Sequence, residues 1–189
     1  MAATLFLNNS HDLDLLLGFL HLPPKSIEIS KKKRHGSQEV SGPAFQQGEA
    51  VVSGIFTVAR QLVKFAANLS PEAKVLNVSN VLENSQIQQW LLYCETHLKP
   101  SLNDSQEMQH RAKELNDHFC SQTFAVGNHI SLADLFIFQA IHPYMITQSF
   151  LEKERLIHIS RWFKNVQHTL KAGQKFSHVP FHRTELYSK

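Results

Sequence analysis

The segment "GNHISLADLFIF" at residues 127–138 sets Ser131 and Asp134 three positions apart, with His129 close by. Those residue types can do hydrolytic chemistry, as a hydroxyl nucleophile, an imidazole base and an orienting carboxylate. The same spacing also starts a helix. A serine at the N-cap accepts a backbone N–H of the first turn, and an acid three residues later reaches back to the serine's own N–H. The run that follows favours the helix: "LADLFIFQAI" is apolar almost all round, as expected of a helix buried on every side. A buried helix start exposes orphan N–H groups to a penalty of about 1–3 kcal/mol each unless they are capped. Ser131 and Asp134 are therefore read as a structural cap, with Ile130 and Leu135 as a hydrophobic staple, and no nucleophile–base pair is expected.

Other chemistry-bearing residues give less. The two cysteines, Cys94 and Cys120, are too few for a disulfide framework or for a zinc site by themselves. Among twelve histidines, His178 and His182 have a ligand-like spacing, but Pro180 stands between them, so no metal is expected. The net charge of +3 comes from one basic run, Lys31–Arg34, without which the chain is slightly negative. A nucleic-acid binder spreads basic charge over a face and adds stacking platforms, so direct nucleic-acid binding is not expected. The run itself leaves open a solvated loop, a phosphate-backbone contact or a nuclear-import signal.

The elements that must carry these residues change character along the chain. In the first part "TLFL" and "SIEIS" are β-prone, and "DLDLLLGFLHL" between them is helical, with Ser10 or Asp12 as cap and Pro23–Pro24 as stop. Gly42–Pro43 marks a turn or a strand entry. Ile55, Val58, Ala59 and Leu62 give the period of a helix over 51–66. Residues 68–83 read as a linker with a short helical turn. Beyond it all is helical: Ile87, Trp90, Leu91, Cys94 and Leu98 share one face up to Pro100, and Met108, Ala112, Leu115 and Phe119 share the next. The expected fold is an α+β, thioredoxin-like half over 1–67, a linker over 68–83 and an all-α helical bundle over 84–189. No 18-residue apolar run exists, so a membrane span is not expected. The N-terminus lacks a basic start and carries two aspartates in its apolar part, unlike a signal peptide. The cytoplasm is the expected location, with the nucleus open through the basic run.

An α+β half, a helical half and "GNHISLADL" opening the central helix together resemble the glutathione-transferase fold. With "SGIFTVARQLVKFA", "IQQWLLY" and "EKERLIHISRWFKNVQH", the chain is more narrowly similar to the transferase-like auxiliary proteins of the multi-tRNA-synthetase complex. The resemblance places Ser10 at the thiol-stabilising position, Pro43 at the cis-proline position and Ser53 at the serine of the γ-glutamyl site. Val52 stands where that site needs an acid or amide, and the segment 30–42 is too short and polar for the usual second helix. The resemblance therefore implies a noncatalytic adaptor without cofactor. Its implied partners are the transferase-like domains of methionyl- and glutamyl-prolyl-tRNA synthetases and other scaffold proteins of that complex. The rivals are an active glutathione transferase, or the transferase-like region of elongation factor 1 gamma or of a synthetase. The start "MAATLF" and the tail argue against a fragment.

Two partner faces are expected. Phe56 and Val63 widen the apolar arc of the helix over 51–66, and Leu92 and Tyr93 fall outside the Ile87/Leu91/Cys94 face. In transferase-like folds these helices form the side-by-side dimer face; packing within the chain is the alternative. On "HISRWFKNVQH", Ile159, Trp162, Phe163 and Val166 point inward and throw Arg161, Lys164 and His168 to the opposite side. The resemblance makes Arg161 a contact to a partner's matching helix; a solvated arginine is the alternative.

Overall fold

The computed structural model of the chain describes residues 3–7, 11–23, 25–30, 34–35, 38–39, 42–76, 78–170 and 176–181. They form two compact units, Met1–Ser79 and Asn80–Lys189.

In the first unit β1 (Ala3–Phe6) alternates buried Ala3 and Leu5 with half-buried neighbours, as a strand covered unequally on its two faces must. Helix α1 (Asp14–Leu20) crosses over to β2 (Ile27–Ser30), which pairs with β1 in parallel. The N-cap of α1 is Leu13 with no side-chain cap bond, not Asp12; Ser10 lies outside the described residues. A two-stranded ladder of β3 (Arg34–His35) and β4 (Gln38–Glu39) occupies part of the segment read as too polar for a helix. Strands β5 (Ala44–Gln47) and β6 (Ala50–Ser53) then form a hairpin, completing a sheet of order β2-β1-β5-β6.

Strand β6 corrects the helix expected over 51–66. The helix, α2, runs only over Ile55–Ala66, and the residues before it pair antiparallel with β5, from Gln47↔Ala50 to Ala44↔Ser53. Val51 and Val52 are β-branched and follow a tight turn at Gly48, whose φ of +63° is open to glycine at little cost. Helix α2 buries Val58, Ala59, Leu62, Val63 and Ala66, and Phe65 meets Phe45 of β5 edge-on at 5.8 Å. Helix α3 (Pro71–Leu76) follows within the segment read as linker.

The second unit begins at Asn80, whose side chain caps α4 (Val81–Tyr93) by accepting the Leu82 N–H at 2.9 Å. The helix does not end at Pro100. It passes through a π turn, Cys94–Leu98, into α5 (Lys99–Ser101), with the Lys99 N–H bonded to the Cys94 carbonyl. Proline lacks an N–H and clashes with the carbonyl four residues back in a regular helix, so a change of register just before it is a physical accommodation. Helix α6 (Ser105–His118) is capped by Asp104, which accepts from the Gln106 and Glu107 N–H groups. Helix α7 (Leu132–Thr147) is the buried element the sequence calls for, with Leu132–Phe138 wholly inside. Helix α8 (Phe150–Arg155) opens on a second capping box, Ser149 with Glu152. Helix α9 (Ile157–Leu170) closes the bundle, stacking Trp162 on Phe119 and Phe163 on Phe138, both with centroids 4.4 Å apart.

Candidate interaction surfaces and the central cap

Asp134 is 0% exposed and Ser131 1%, so their chemistry is turned inward. Asp134 Oδ2 accepts the Ser131 N–H at 2.9 Å and the Ser131 hydroxyl at 2.7 Å. Oδ1 accepts the Ala125 N–H and the Trp162 indole N–H, both at 2.8 Å. Burial pushes the carboxyl above the usual carboxylate range, against the opposing pull of these hydrogen bonds. The hydroxyl proton points at the acid that a triad would have placed behind a base. This is a cap that also ties the loop before α7 and the middle of α9 to one carboxylate. Trp162 and Ala125 as partners of Asp134 are invisible to local spacing, although the inward phase of Trp162 is not. Gly127, at φ +64°, turns the chain into the cap.

On α9 the structure places Arg161, Lys164 and His168 on the exposed side, opposite the buried Ile159, Trp162, Phe163 and Val166. Ile157, 60% exposed, extends the same helical stripe by one turn and was missed in the sequence. Arg161 is not merely solvated. Its Nη2 donates to the Phe119 carbonyl at 2.6 Å and to the Gln122 carbonyl at 3.1 Å, closing the C-terminal end of α6. In return Asn116 of α6 accepts the His158 and Ile159 N–H groups at the start of α9, at 3.0 and 3.2 Å. Each helix thus caps the other. These bonds set aside the alternative of a solvated arginine.

On α4, Leu92 is 56% exposed. Tyr93 is half-buried and donates its hydroxyl to Glu114 Oε2 at 2.8 Å, while Arg111 holds the same carboxylate at 2.9 and 2.7 Å and also bonds Glu107. Burial and the Glu114 carboxylate push the Tyr93 phenol far above its ordinary range, so it remains a donor. Burial also raises Glu114, but the Tyr93 and Arg111 bonds outweigh it and hold its carboxyl low. Tyr93 is therefore a pin between α4 and α6 with one face stacked on His97, and Leu92 carries the exposed apolar area. Cys94 is buried, with its thiol pushed up to about 12 by desolvation, which leaves it unreactive at neutral pH.

On α2, Phe56 is half-buried, but Val63 is 4% exposed and belongs to the core rather than to an open face. Val63 thus leaves the expected apolar arc, because it stands one turn from both Ala59 and Ala66 and shares their buried face. Of the positions the transferase resemblance marks, Ser10 lies outside the described residues. Pro43 is buried ahead of β5 and every described peptide bond is trans, which corrects the cis-proline expectation. Val52 pairs with Phe45 in the hairpin, and Ser53 is exposed at its end. Lys31–Lys33 and the tail beyond Phe181 lie outside the described residues. No described helix is long and apolar enough to cross a membrane.

Residues 83–170 match the family described as nuclear-export cofactor Arc1p. Human eukaryotic translation elongation factor 1 epsilon-1 is 30% identical over 173 residues, covering 89% of this chain and 95% of that protein. The bifunctional glutamate/proline–tRNA ligase of Cricetulus griseus is 26% identical over 166 residues, 86% of this chain but 10% of the ligase. Among solved structures, the GST-like domain of elongation factor 1-gamma from Saccharomyces cerevisiae superposes with a TM-score of 0.70 at 18% identity, over 95% of both chains. A likeness at that identity establishes the glutathione-transferase-like fold alone. The human relative, matched along nearly its whole length, places this chain in the elongation factor 1 epsilon family of translation-related proteins.

Proposed function

We propose that the chain is a noncatalytic adaptor of the aminoacyl-tRNA synthetase assembly. It binds the transferase-like domains of glutamyl-prolyl- and methionyl-tRNA synthetases, alongside other scaffold proteins of that complex. The observation that carries this reading is the exposed stripe Ile157, Arg161, Lys164 and His168, set on a helix whose opposite face is wholly committed to the core. A rigid helix presenting one apolar and three basic or titratable side chains fits an interface better than a reaction centre. Leu92, 56% exposed on α4, supplies apolar area for a second contact. Val52 in place of an acid or amide argues against glutathione turnover, because no carboxylate there can hold a γ-glutamyl ammonium. The likeness to the glutamate/proline–tRNA ligase supports a synthetase-related role. Affinity capture of the tagged full chain from its native cell, with identification of what co-elutes, tests the proposal. Both synthetases are expected in stoichiometric amount. Their absence, or saturable glutathione conjugation by the purified chain, overturns it.

A further inference from the structure

Residues 176–181 run across α7, α8 and α9 with no regular secondary structure of their own. One buried polar side chain from each helix holds them, and every bond goes to the main chain of the segment. His142 of α7 bonds the Ser177 carbonyl through Nε2 at 2.9 Å. Lys153 of α8 donates to the Pro180 carbonyl at 3.1 Å. Gln167 of α9 takes both groups of Val179: Nε2 donates to its carbonyl at 3.2 Å, and Oε1 accepts its N–H at 2.9 Å. Val179 is 0% exposed, whereas Ser177, His178 and Pro180 face solvent. Phe176 meets His142 edge-on at 4.9 Å, and Phe181 lies 5.9 Å from Phe163 with the Lys153 ammonium 5.5 Å from its ring.

An amide that satisfies the N–H and C=O of one residue does what a neighbouring strand does for an extended peptide. Such bonds read backbone, not sequence. Selection falls to the Val179 pocket and the two aromatic shelves at either side. The segment is seated as a ligand would be, and none of these bonds depends on its covalent attachment. We infer that Phe176–Phe181 is a self-ligand that opens apart from the helices. The groove beneath it, built on His142, Lys153 and Gln167, then binds an extended partner segment with a valine set between two aromatic residues. Attachment gives the chain's own segment a high effective concentration, so an outside peptide competes poorly while it stays seated.

A fluorescent peptide with the sequence of residues 176–181, titrated onto the full chain and onto full-length Val179→Asp, tests the inference. The introduced carboxylate cannot re-enter an apolar pocket, so this variant should bind the peptide saturably and at least tenfold more tightly than wild type. A scrambled peptide should not bind, and adding Gln167→Ala should abolish binding. A folded Val179→Asp chain that ignores the peptide, or takes the scrambled one equally, overturns the inference. Should that variant not fold, amide exchange in the wild-type chain decides. Val179 N–H exchange tenfold or more faster than that of Trp162 and Phe163 supports a separately opening segment. Any smaller difference means that it opens only with the helical unit, and sinks the idea.

Discussion

Asp134 shows how much one buried acceptor can organise. Asp134→Ala strands the Ser131, Ala125 and Trp162 N–H groups away from water, at about 1–3 kcal/mol each, so a loss of at least roughly 3 kcal/mol is expected in denaturant melts. A variant with full stability and a lost activity would instead return these residues to catalysis. Arg161 carries two roles that one pair of substitutions separates. Arg161→Ala should cost about 1 kcal/mol, because the Phe119 and Gln122 carbonyls lose a charged donor at a partly exposed site. It should also weaken one synthetase contact by about 2 kcal/mol, roughly thirtyfold, if it is a central anchor. Arg161→Lys can still reach a carbonyl, so it should recover most of the melting temperature and little of the binding. Binding that tracks stability in both variants would assign Arg161 to capping alone. The Ser131–Asp134 cap was legible because both partners lie within one helical turn. The Arg161 bonds were not, because phase along α9 says which way a side chain leaves the helix but not what it folds back upon.

At the scale of elements, α6, α7 and α9 were readable from apolar phase, since each buries one face or all of itself. Strand β6 was not. Val51 and Val52 sit next to a helical repeat that begins at Ile55, and two β-branched residues are too few to show a period of two. Gly48 was the missed signal. The hairpin depends on its left-handed φ of +63°, so Gly48→Ala should cost about 1 kcal/mol, read as a lowered thermal midpoint. Unchanged stability would mean that the turn tolerates another conformation. The π turn before Pro100 was also illegible, because Cys94 and Leu98 stay on the buried side with or without it. The Ser149–Glu152 box has the same spacing as Ser131 and Asp134, but the six-residue helix that it opens is too short to show an apolar period.

For the whole molecule, pH is the broadest lever. Burial holds His118 and His142 below the ordinary histidine value of 6.5. A depressed histidine stabilises fully above its unfolded pKa; as pH falls below about 6.5 the unfolded chain takes up protons first, and stability drops. Asp134, raised by burial, works the other way, so the histidine part is read by difference. Between pH 7.5 and 5.5 the wild-type melting temperature should fall more than that of a His118→Gln/His142→Gln chain; parallel profiles would clear both residues. The crossed caps between α6 and α9 act on time rather than on pH. They join residues 39 to 43 positions apart, so closing their loop costs more entropy than the local contacts within each helix, which favours late formation. Interactions that form late leave the folding rate alone and slow the escape from the native state. Asn116→Ala should therefore speed unfolding about fivefold in stopped-flow while folding changes less than twofold, for a loss near 1 kcal/mol. Equal changes in both rates would mean that the caps form early. Late caps would make the presented helix long-lived, a clamp on the lifetime of the surface that partners meet.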